Sequence, residues 1–280
     1  KKKAAIQHFE EQCRYYKKLE KKYSIIVSLT SYPARMSKLD ICLKSLLNQV
    51  FKPDKVILWL AKSQFPNGLN DIPQSVRALT AKGLFIEWCD DDLKPHKKYF
   101  YAMLNYPESI IITVDDDMRY SPVLVGKLYE SYLKHPHAVS CLRAHLIKFN
   151  SNGTIKRYVD WGMEDNSYID TPVFNLLPTG VSGVLYPPHC LPKEAFNIEK
   201  IKEITLMTDD LWLKVMCTAN NYPTVLVEKQ GPIHGISGTQ DSAISMFNYF
   251  YGNDTNMQKC LAYCDEIFGN GVIEDKLRTN

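Results

Sequence analysis

The chain has 280 residues, of which 45% are hydrophobic, so it can bury a sizeable core and is predicted to form one large α/β domain with appendages. Its formal net charge is only +3, too balanced to indicate nucleic-acid binding, and no apolar stretch approaches the roughly 18 residues that cross a bilayer. Eight scattered cysteines form no CxxC pair, which indicates a reduced, cytoplasmic setting.

Most of the basic excess lies in residues 1–22, which hold eight Lys or Arg against three Glu, a net charge of +5. Apolar residues recur there at three- and four-residue steps: Ile6, Phe9, Cys13, Tyr16 and Leu19. This spacing predicts an amphipathic helix that either packs on the domain or lies near an anionic membrane surface or a partner. Because the chain begins at Lys1, we expect it to be a piece of a longer protein.

Short apolar runs alternate with helical repeats in the first 120 residues. The predicted strands are 24–29, 55–60, 84–88 and 110–114, and the predicted helices are 39–50 and 99–104. This alternation is typical of a mostly parallel sheet with crossover helices. The second half is less regular, and its predicted elements are helices 125–133, 209–219 and 258–268, strand-like pieces in 138–158 and 224–227, and loops around 172–188.

The strand predicted over 110–114 ends in three consecutive carboxylates, Asp115, Asp116 and Asp117. They should emerge at the carboxyl end of the strand, where open α/β sheets bind ligands. Three acids this close repel one another unless positive charge sits among them, and oxygen ligands suit Mg²⁺ or Mn²⁺. A divalent cation that carries a phosphate is the first interpretation, and an acidic turn that caps the next helix is the alternative.

The chain contains, in this order, IIVSLTSYPAR, KPDKVILWL, DDDLKPHKKY, IIITVDDDMRY, PTGVSGVLYPP and MTDDLWLKV. This series, over roughly 24–240, resembles the bacterial nucleotide-sugar glycosyltransferases of the GT-A fold, family-2-like, especially those encoded with capsule and surface-polysaccharide genes. The resemblance implies a GT-A-like catalytic domain over 23–240, with a nucleotide-binding half (23–120) and an acceptor half (121–240). Residues 1–22 and 241–280 would flank it as an N-terminal helix and a C-terminal helical extension.

The resemblance also implies roles for the acids and for one histidine. Asp117 and Asp115 would hold the metal, with Asp115 facing the donor ribose or metal-bound water, and Asp116 would lie between them on the donor. A late histidine often reaches the metal or the diphosphate in this fold, and that role falls on His234. The alternative for His234 is a solvated loop residue.

In the same way, the resemblance places the nucleotide near the turn after the first strand. Thr30 and Tyr32 would line the base and ribose pocket, and Arg35 would reach a phosphate with its forked guanidinium. Asp92 would contact the nucleobase and Lys98 would help to hold the donor. A plain strand-to-helix turn and local helix capping are the competing interpretations.

The run Thr208-Asp209-Asp210 resembles the motif in which the last carboxylate is the general base of an inverting enzyme. That role falls on Asp210, with Asp209 as the neighbour most easily confused with it. A helix cap by Thr208 with an acidic first turn is the alternative. The resemblance further puts donor-sugar or acceptor contacts near Gly180. Trp161 is a candidate for the acceptor cleft, and a position in the core is the alternative.

Together these observations predict a metal-dependent inverting hexosyltransferase that uses Mn²⁺ or Mg²⁺ and a nucleoside diphosphate sugar, with UDP as the nucleotide by resemblance. The acceptor would be a glycan or glycolipid. The protein would be cytoplasmic, and its basic N-terminal helix would associate with the inner face of the cell membrane or with a biosynthetic complex. A non-catalytic binding module of a larger polymerase and a nucleotidyltransferase remain as alternatives. The second of these is disfavoured because residues 28–35 contain no glycine for a phosphate loop.

Overall fold

The computed structural model describes residues 2–239 and 252–279. Its strands are β1 Ile25–Thr30, β2 Lys55–Ala61, β3 Leu84–Cys89, β4 Ile110–Thr113, β5 Val139–Cys141, β6 Ala144–Leu146, β7 Leu176–Pro178, β8 Val184–Tyr186 and β9 Thr224–Leu226. Its helices are α1 Lys2–Lys18, α2 Leu39–Leu47, α3 Gln74–Arg77, α4 Lys97–Asn105, α5 Leu124–Lys134, α6 Ile198–Ile204, α7 Asp209–Ala219, α8 Asn253–Phe268 and α9 Val272–Arg278.

Seven strands form the central sheet in the order β3-β2-β1-β4-β8-β5-β9, and β6 and β7 form a small antiparallel pair. The first four strands are parallel, with Val27 opposite Val56 on one side of β1 and opposite Ile112 on the other. Continuous β-branched runs such as these suit strands that are covered on both faces. The predicted α/β class with a mostly parallel central sheet is confirmed.

Strand β8 runs antiparallel between β4 and β5, in a region that the sequence predicts as loops. It has only three residues, between Gly183 and Pro187, and so carries no local strand pattern. Its pairing with strands distant in the chain stabilises it. Val184 and Tyr186 join one apolar cluster and Leu185 joins the other, so β8 carries core residues on both faces of the sheet.

The C-terminal helices belong to the core that surrounds α7. The predicted last helix starts earlier, at Asn253, and α9 follows it. The ring of Trp212 on α7 stacks on Tyr263 of α8 with 5.7 Å between centroids, and Ile273 and Leu277 of α9 are fully buried in the same cluster. Helix α8 therefore packs beside α7. The predicted extension also includes residues 241–251, which lie outside the described residues.

Among the described residues, helix α1 packs on the domain through its carboxyl end. Tyr16 is buried there and donates a hydrogen bond of 2.9 Å to Glu130 Oε2 on α5. Ile6 and Phe9, earlier in the predicted apolar stripe, are 52% and 40% exposed. No helix within the described part of the chain combines the length and the apolar character that crossing a membrane requires.

Candidate active site

A cleft of about 550 Å³ opens at the carboxyl edge of the parallel strands. Four stretches contribute to its lining, 30–35, 94–98, 114–117 and 207–210, and Gln64 and Asn253 complete it. The first three stretches follow β1, β3 and β4, whose carboxyl ends share one edge of the sheet. The fourth is the start of α7. The cleft therefore gathers both acidic motifs that the sequence singled out.

Asp116 is turned toward the protein. It is 9% exposed, accepts a 2.5 Å hydrogen bond from Ser31 Oγ, and lies 2.7 Å from Arg35 Nη1. Burial raises the pKa of Asp116 to about 6, although Arg35 and Ser31 act in the opposite direction. Asp116 therefore joins the turn after β1 to the acidic loop after β4.

The positive charge among the three acids comes from the chain itself. Arg35 Nη1 also lies 2.6 Å from Asp117 Oδ2, and Lys98 Nζ lies 2.8 Å from Asp115 Oδ1. Burial acts to lower the pKa of Arg35, but Asp116 and Asp117 outweigh it and raise that pKa. The mutual repulsion of the acids is thus offset in this arrangement by two cations from neighbouring elements.

Lys98 joins the two acidic motifs. It is 3% exposed at the start of α4, and its Nζ lies 3.0 Å from Asp209 Oδ2 as well as 2.8 Å from Asp115 Oδ1. The contact to Asp209 is an ion pair without hydrogen-bond alignment, because Oδ2 has no hydrogen-bond partner among the described residues. Burial acts to lower the pKa of Lys98, but Asp115 and Asp209 hold it well above its usual range.

Asp210 lies beside this network at the start of α7. The backbone N–H of Gly180 donates to it, 3.1 Å from Oδ1. Burial raises the pKa of Asp210 to about 8, helped by Asp209 and opposed by Lys98. A carboxyl group whose pKa is raised above 7 is suited to take up a proton during a reaction.

Thr208 does not cap α7 through its side chain within the described structure. Its hydroxyl instead accepts a 3.3 Å hydrogen bond from Asn256 Nδ2 on α8. The acidic first turn of α7 is therefore held from outside the helix, by α8 and by the Gly180 loop. The Thr208 side chain therefore does not support the capping alternative. What remains of that alternative is the favourable position of Asp209 and Asp210 at the positive end of the helix dipole.

Gly180 is the closest meeting point of the two acidic motifs. A Cβ atom at this position would lie 3.1 Å from Lys98 Nζ, 3.2 Å from Asp115 Oδ1 and 3.4 Å from Asp210 Oδ1. A side chain at this position therefore crowds Lys98 and Asp115, whereas glycine leaves both in place.

We expect Gly180→Ala to reduce the activity of the site by about tenfold, because the added methyl displaces Lys98 and Asp115 by a few tenths of an ångström. Steady-state rates of the purified variant measure this effect. Gly231→Ala is the matched control, since a Cβ there meets nothing within 4 Å. Equal rates for both variants would show that the Gly180 contacts do not matter.

Asp115 and Asp117 suit a divalent metal by their chemistry, since both offer hard oxygens on one wall of the cleft. Across residues 2–239 and 252–279, no three His, Cys, Asp or Glu side chains come together as a ready-made metal site. Mg²⁺ is commonly held by one or two carboxylates plus the phosphates of a substrate. The two aspartates therefore fit a metal that arrives with a diphosphate.

His234 lies close in the fold to the acid triplet but has an exposed side chain outside the cleft lining. Its carbonyl oxygen accepts a 2.9 Å hydrogen bond from the backbone of Arg119. The metal role of His234 stays a prediction.

The residues predicted for the nucleotide divide into two groups. Thr30 and Tyr32 line the cleft, although the Thr30 hydroxyl donates to the carbonyl of Trp59 at 2.8 Å. Asp92 lies behind the lining and binds Lys94, with Oδ2 and Nζ 2.5 Å apart, and also Lys97. Burial acts to raise the pKa of Asp92, but these two lysines lower it. The side chains that this loop presents to the cleft are the lysines.

Trp161 is a core residue. It is 5% exposed, packs on Tyr158 with 4.9 Å between ring centroids, and donates its Nε1–H to the carbonyl of Lys156 at 2.8 Å. The predicted acceptor role for Trp161 is wrong, because the ring is enclosed and lies outside the cleft lining.

The sequence patterns do not predict two of the cleft residues, Gln64 after β2 and Asn253 at the start of α8. Each has a side-chain oxygen that is buried and has no hydrogen-bond partner among the described residues. Neither lies in a motif or a charged cluster. The only sequence signal near Gln64 is its position just after a predicted strand.

No protein-family model matches the chain, and no curated protein matches it. Solved structures do resemble it. The mannosyltransferase PcManGT from Pyrobaculum calidifontis, solved with GDP-Man and Mn²⁺, aligns with a TM-score of 0.51 at 8% identity over 97% of this chain and 75% of that one.

Two further structures align less closely. Residues 1–349 of S. aureus TarS align with a TM-score of 0.49 at 14% identity, over 88% of this chain and 72% of that one. The inositol-1-phosphate CTP transferase from T. maritima aligns with a TM-score of 0.41 at 14% identity, over 85% and 96%. The likeness to the mannosyltransferase shows the fold, and the chain therefore has an α/β fold of the GT-A type.

Proposed function

We propose that the protein is a metal-dependent inverting glycosyltransferase of the hexosyltransferase type. It moves a sugar from a nucleoside diphosphate, UDP by the resemblance of its motifs, to a hydroxyl of a growing bacterial capsular or surface glycan. The observation that carries this proposal is the meeting of Asp115, Lys98 and Asp210 around Gly180, within one cleft. A diphosphate site and a proton acceptor are thereby next to each other.

The cleft has two ends on either side of this meeting point. Asp115 and Asp117 lie at the carboxyl end of β4, and a metal held there supplies positive charge for the diphosphate leaving group. The nucleoside then extends over the ends of β1, β2 and β3. The acceptor then binds at the other end of the cleft, beside the start of α7 and Asn253 of α8.

Asp210 acts as the general base in this scheme. Its carboxylate takes the proton of the acceptor hydroxyl while that oxygen attacks the anomeric carbon from the face opposite the leaving diphosphate. The N–H of Gly180 orients the carboxylate, and Lys98 links Asp209 to Asp115, so that the base keeps its place relative to the donor. Arg35 releases Asp117 and pairs with a phosphate when the donor binds.

The rate should depend on pH through Asp210, whose pKa burial raises to about 8. Because the base must be ionised, we expect kcat/KM to rise about tenfold per pH unit below that value and to level off above it. Donor turnover between pH 5.5 and 9.5 measures this profile. Asp209→Asn removes a charge that raises the pKa of Asp210, so the pH profile of kcat/KM in this variant should shift to lower pH. A flat profile in both proteins would rule out Asp210 as the base.

Release of nucleoside diphosphate from a panel of nucleotide-sugars, with Mn²⁺ or with chelator, tests the proposal directly. We expect slow metal-dependent hydrolysis of one donor, lost in Asp117→Ala because the metal loses a ligand. Asp90→Ala is the matched control, since that carboxylate pairs with Lys62 on the exposed surface. The absence of release from every donor, with no metal-dependent binding, would contradict the proposal.

The same assay separates the two alternatives. A nucleotidyltransferase would release inorganic diphosphate from a nucleoside triphosphate and a sugar phosphate. A non-catalytic binding module would bind a nucleotide-sugar and turn none over. The placement of Asp210 in the same cleft as Asp115 favours the transferase over both.

We also propose a cytoplasmic location at the inner face of the membrane, mediated by the basic N-terminal helix. The support is that Ile6 and Phe9 are exposed on α1 rather than packed on the domain. Sedimentation with anionic and with neutral vesicles tests this proposal. Equal sedimentation with both kinds of vesicle, or none with either, would overturn it.

A further inference from the structure

The nucleoside end of the cleft lies over the carboxyl ends of β1, β2 and β3, which are adjacent in the sheet. Tyr32 follows β1, Gln64 follows β2, and Lys94 and Pro95 follow β3. Asp92 does not line this end, because Lys94 and Lys97 bind its carboxylate behind the surface. The side chain that binds the edge of the nucleobase must therefore belong to a residue other than Asp92.

Most polar groups at this end already have partners within the protein. The Thr30 hydroxyl donates to the carbonyl of Trp59, and the Tyr32 hydroxyl accepts from Arg35 Nε at 3.3 Å. The ammonium groups of Lys94 and Lys97 both donate to Asp92. Each of these groups therefore already has a hydrogen-bond partner within the protein.

Gln64 is different. Its Oε1 atom is buried and has no hydrogen-bond partner among the residues that the structure describes. A buried carbonyl oxygen without a partner is unfavourable, and a ligand that brings an N–H group relieves it. Because Gln64 also lines the cleft, a ligand N–H that reaches Oε1 would supply the missing hydrogen-bond donor.

A carboxamide offers an acceptor and a donor side by side. The edge of uracil presents a ring N–H beside a carbonyl oxygen, and guanine presents the same pair. The two groups match Gln64 Oε1 and Nε2 respectively. A ribose diol can also meet both atoms, because one hydroxyl can donate to Oε1 while its neighbour accepts from Nε2, and 2′-deoxy-UDP separates this case from binding of the base.

We infer that Gln64 is the specificity-determining residue for the nucleobase of the donor, and that it binds the N–H and carbonyl edge of a uracil or guanine nucleotide. Tyr32, whose ring is partly exposed in the cleft, lies on the adjacent turn and offers a face for stacking. This inference rests on the proposed function, because it assigns the nucleoside to this end of the cleft.

Calorimetric affinities for UDP, GDP, CDP, ADP, 2′-deoxy-UDP and inorganic diphosphate, all with Mn²⁺, test the inference. We expect the wild type to prefer UDP or GDP, and Gln64→Leu to weaken the preferred nucleotide about tenfold and to level the panel. Inorganic diphosphate should bind both proteins equally, which also shows that the variant is folded. Gln64→Glu keeps an acceptor oxygen and should lie between the two.

The matched control is Gln74→Leu, an equivalent change on the exposed surface of α3, which should bind the whole panel as the wild type does. The inference is overturned if Gln64→Leu leaves every affinity unchanged or weakens diphosphate as much as the nucleotides. It is also overturned if 2′-deoxy-UDP binds weakly to the wild type and no longer responds to Gln64→Leu, since Gln64 would then hold the ribose.

Failure of the proposed function gives a different pattern. Base-selective binding that depends on Gln64, without release of nucleoside diphosphate from any nucleotide-sugar, would sustain the inference and contradict the transferase. Release of nucleoside diphosphate with no effect of Gln64→Leu on base preference would support the transferase and contradict the inference about Gln64.

Discussion

Asp210→Asn is expected to lower the rate of sugar transfer by about a hundredfold to ten-thousandfold without lowering thermal stability. The loss of rate follows from the removal of the proton acceptor. Asparagine keeps the size of the side chain and an oxygen that can accept from the Gly180 N–H, so the geometry of the loop should survive. Single-turnover rates and the unfolding temperature of the same preparation measure the two effects.

The stability effect has a definite sign. Because burial raises the pKa of Asp210 in the folded protein to about 8, the folded state favours the protonated group. The stability that Asp210 contributes is therefore present below the ordinary pKa of a carboxyl group and is lost as the pH rises toward 8. The asparagine variant should unfold at a higher temperature than the wild type at pH 8 to 9, and at a similar temperature near pH 4.

Asp209→Asn is the control for this prediction. Asp209 is also buried, but it pairs with Lys98 at 3.0 Å, so its loss removes a favourable contact. We expect Asp209→Asn to unfold at a lower temperature than Asp210→Asn at pH 8. An Asp210→Asn protein that keeps its transfer rate would remove Asp210 from the mechanism, whatever its stability.

Lys98→Met should lower the free energy of unfolding by about 3–5 kcal/mol, because breaking a buried ion pair from one side leaves the other charge without compensation. Lys98 is 3% exposed and lies within 3.0 Å of both Asp115 and Asp209. Its removal leaves Asp115 and Asp209 without the cation that they share. Urea denaturation at pH 7 measures the change, and activity should be lost as well.

Lys214→Met provides the matched comparison. Lys214 is 1% exposed on α7, and its Nζ lies 3.2 Å from the hydroxyl of Thr224, with no carboxylate pair among the described residues. Burial lowers the pKa of Lys214 to about 7. We expect this variant to be neutral or more stable than the wild type. Similar losses for the two lysines would show that burial, rather than the ion pairs, determines the effect of Lys98→Met.

Local pattern was sufficient where an element is long or strongly periodic. The apolar run before Asp115 predicts a strand that the structure places in the middle of the sheet, and the spacing in Asp209–Ala219 predicts α7 with the bounds that are observed. Both signals lie within a dozen consecutive residues. That these strands are parallel follows from their alternation with helices in the same way.

Other features depend on residues far apart in the chain. The sequence predicts repulsion among Asp115, Asp116 and Asp117, but the cations that offset it are Arg35 and Lys98, 80 and 17 positions away from the nearest acid of the triplet. Asp92 followed by lysines reads as a ligand site, yet its own lysines bind it. The order of charged residues along the sequence does not determine which of them form ion pairs in the folded protein.

The sequence by itself therefore determined the α/β class, the strands of the nucleotide half and the two acidic motifs, because periodicity and strand-end position are local properties. Only the tertiary structure decided that β8 enters the sheet, that Trp161 belongs to the core, and that Gln64 and Asn253 line the cleft. Each of these outcomes depends on long-range packing, which brings together residues whose neighbours in the chain carry no matching pattern.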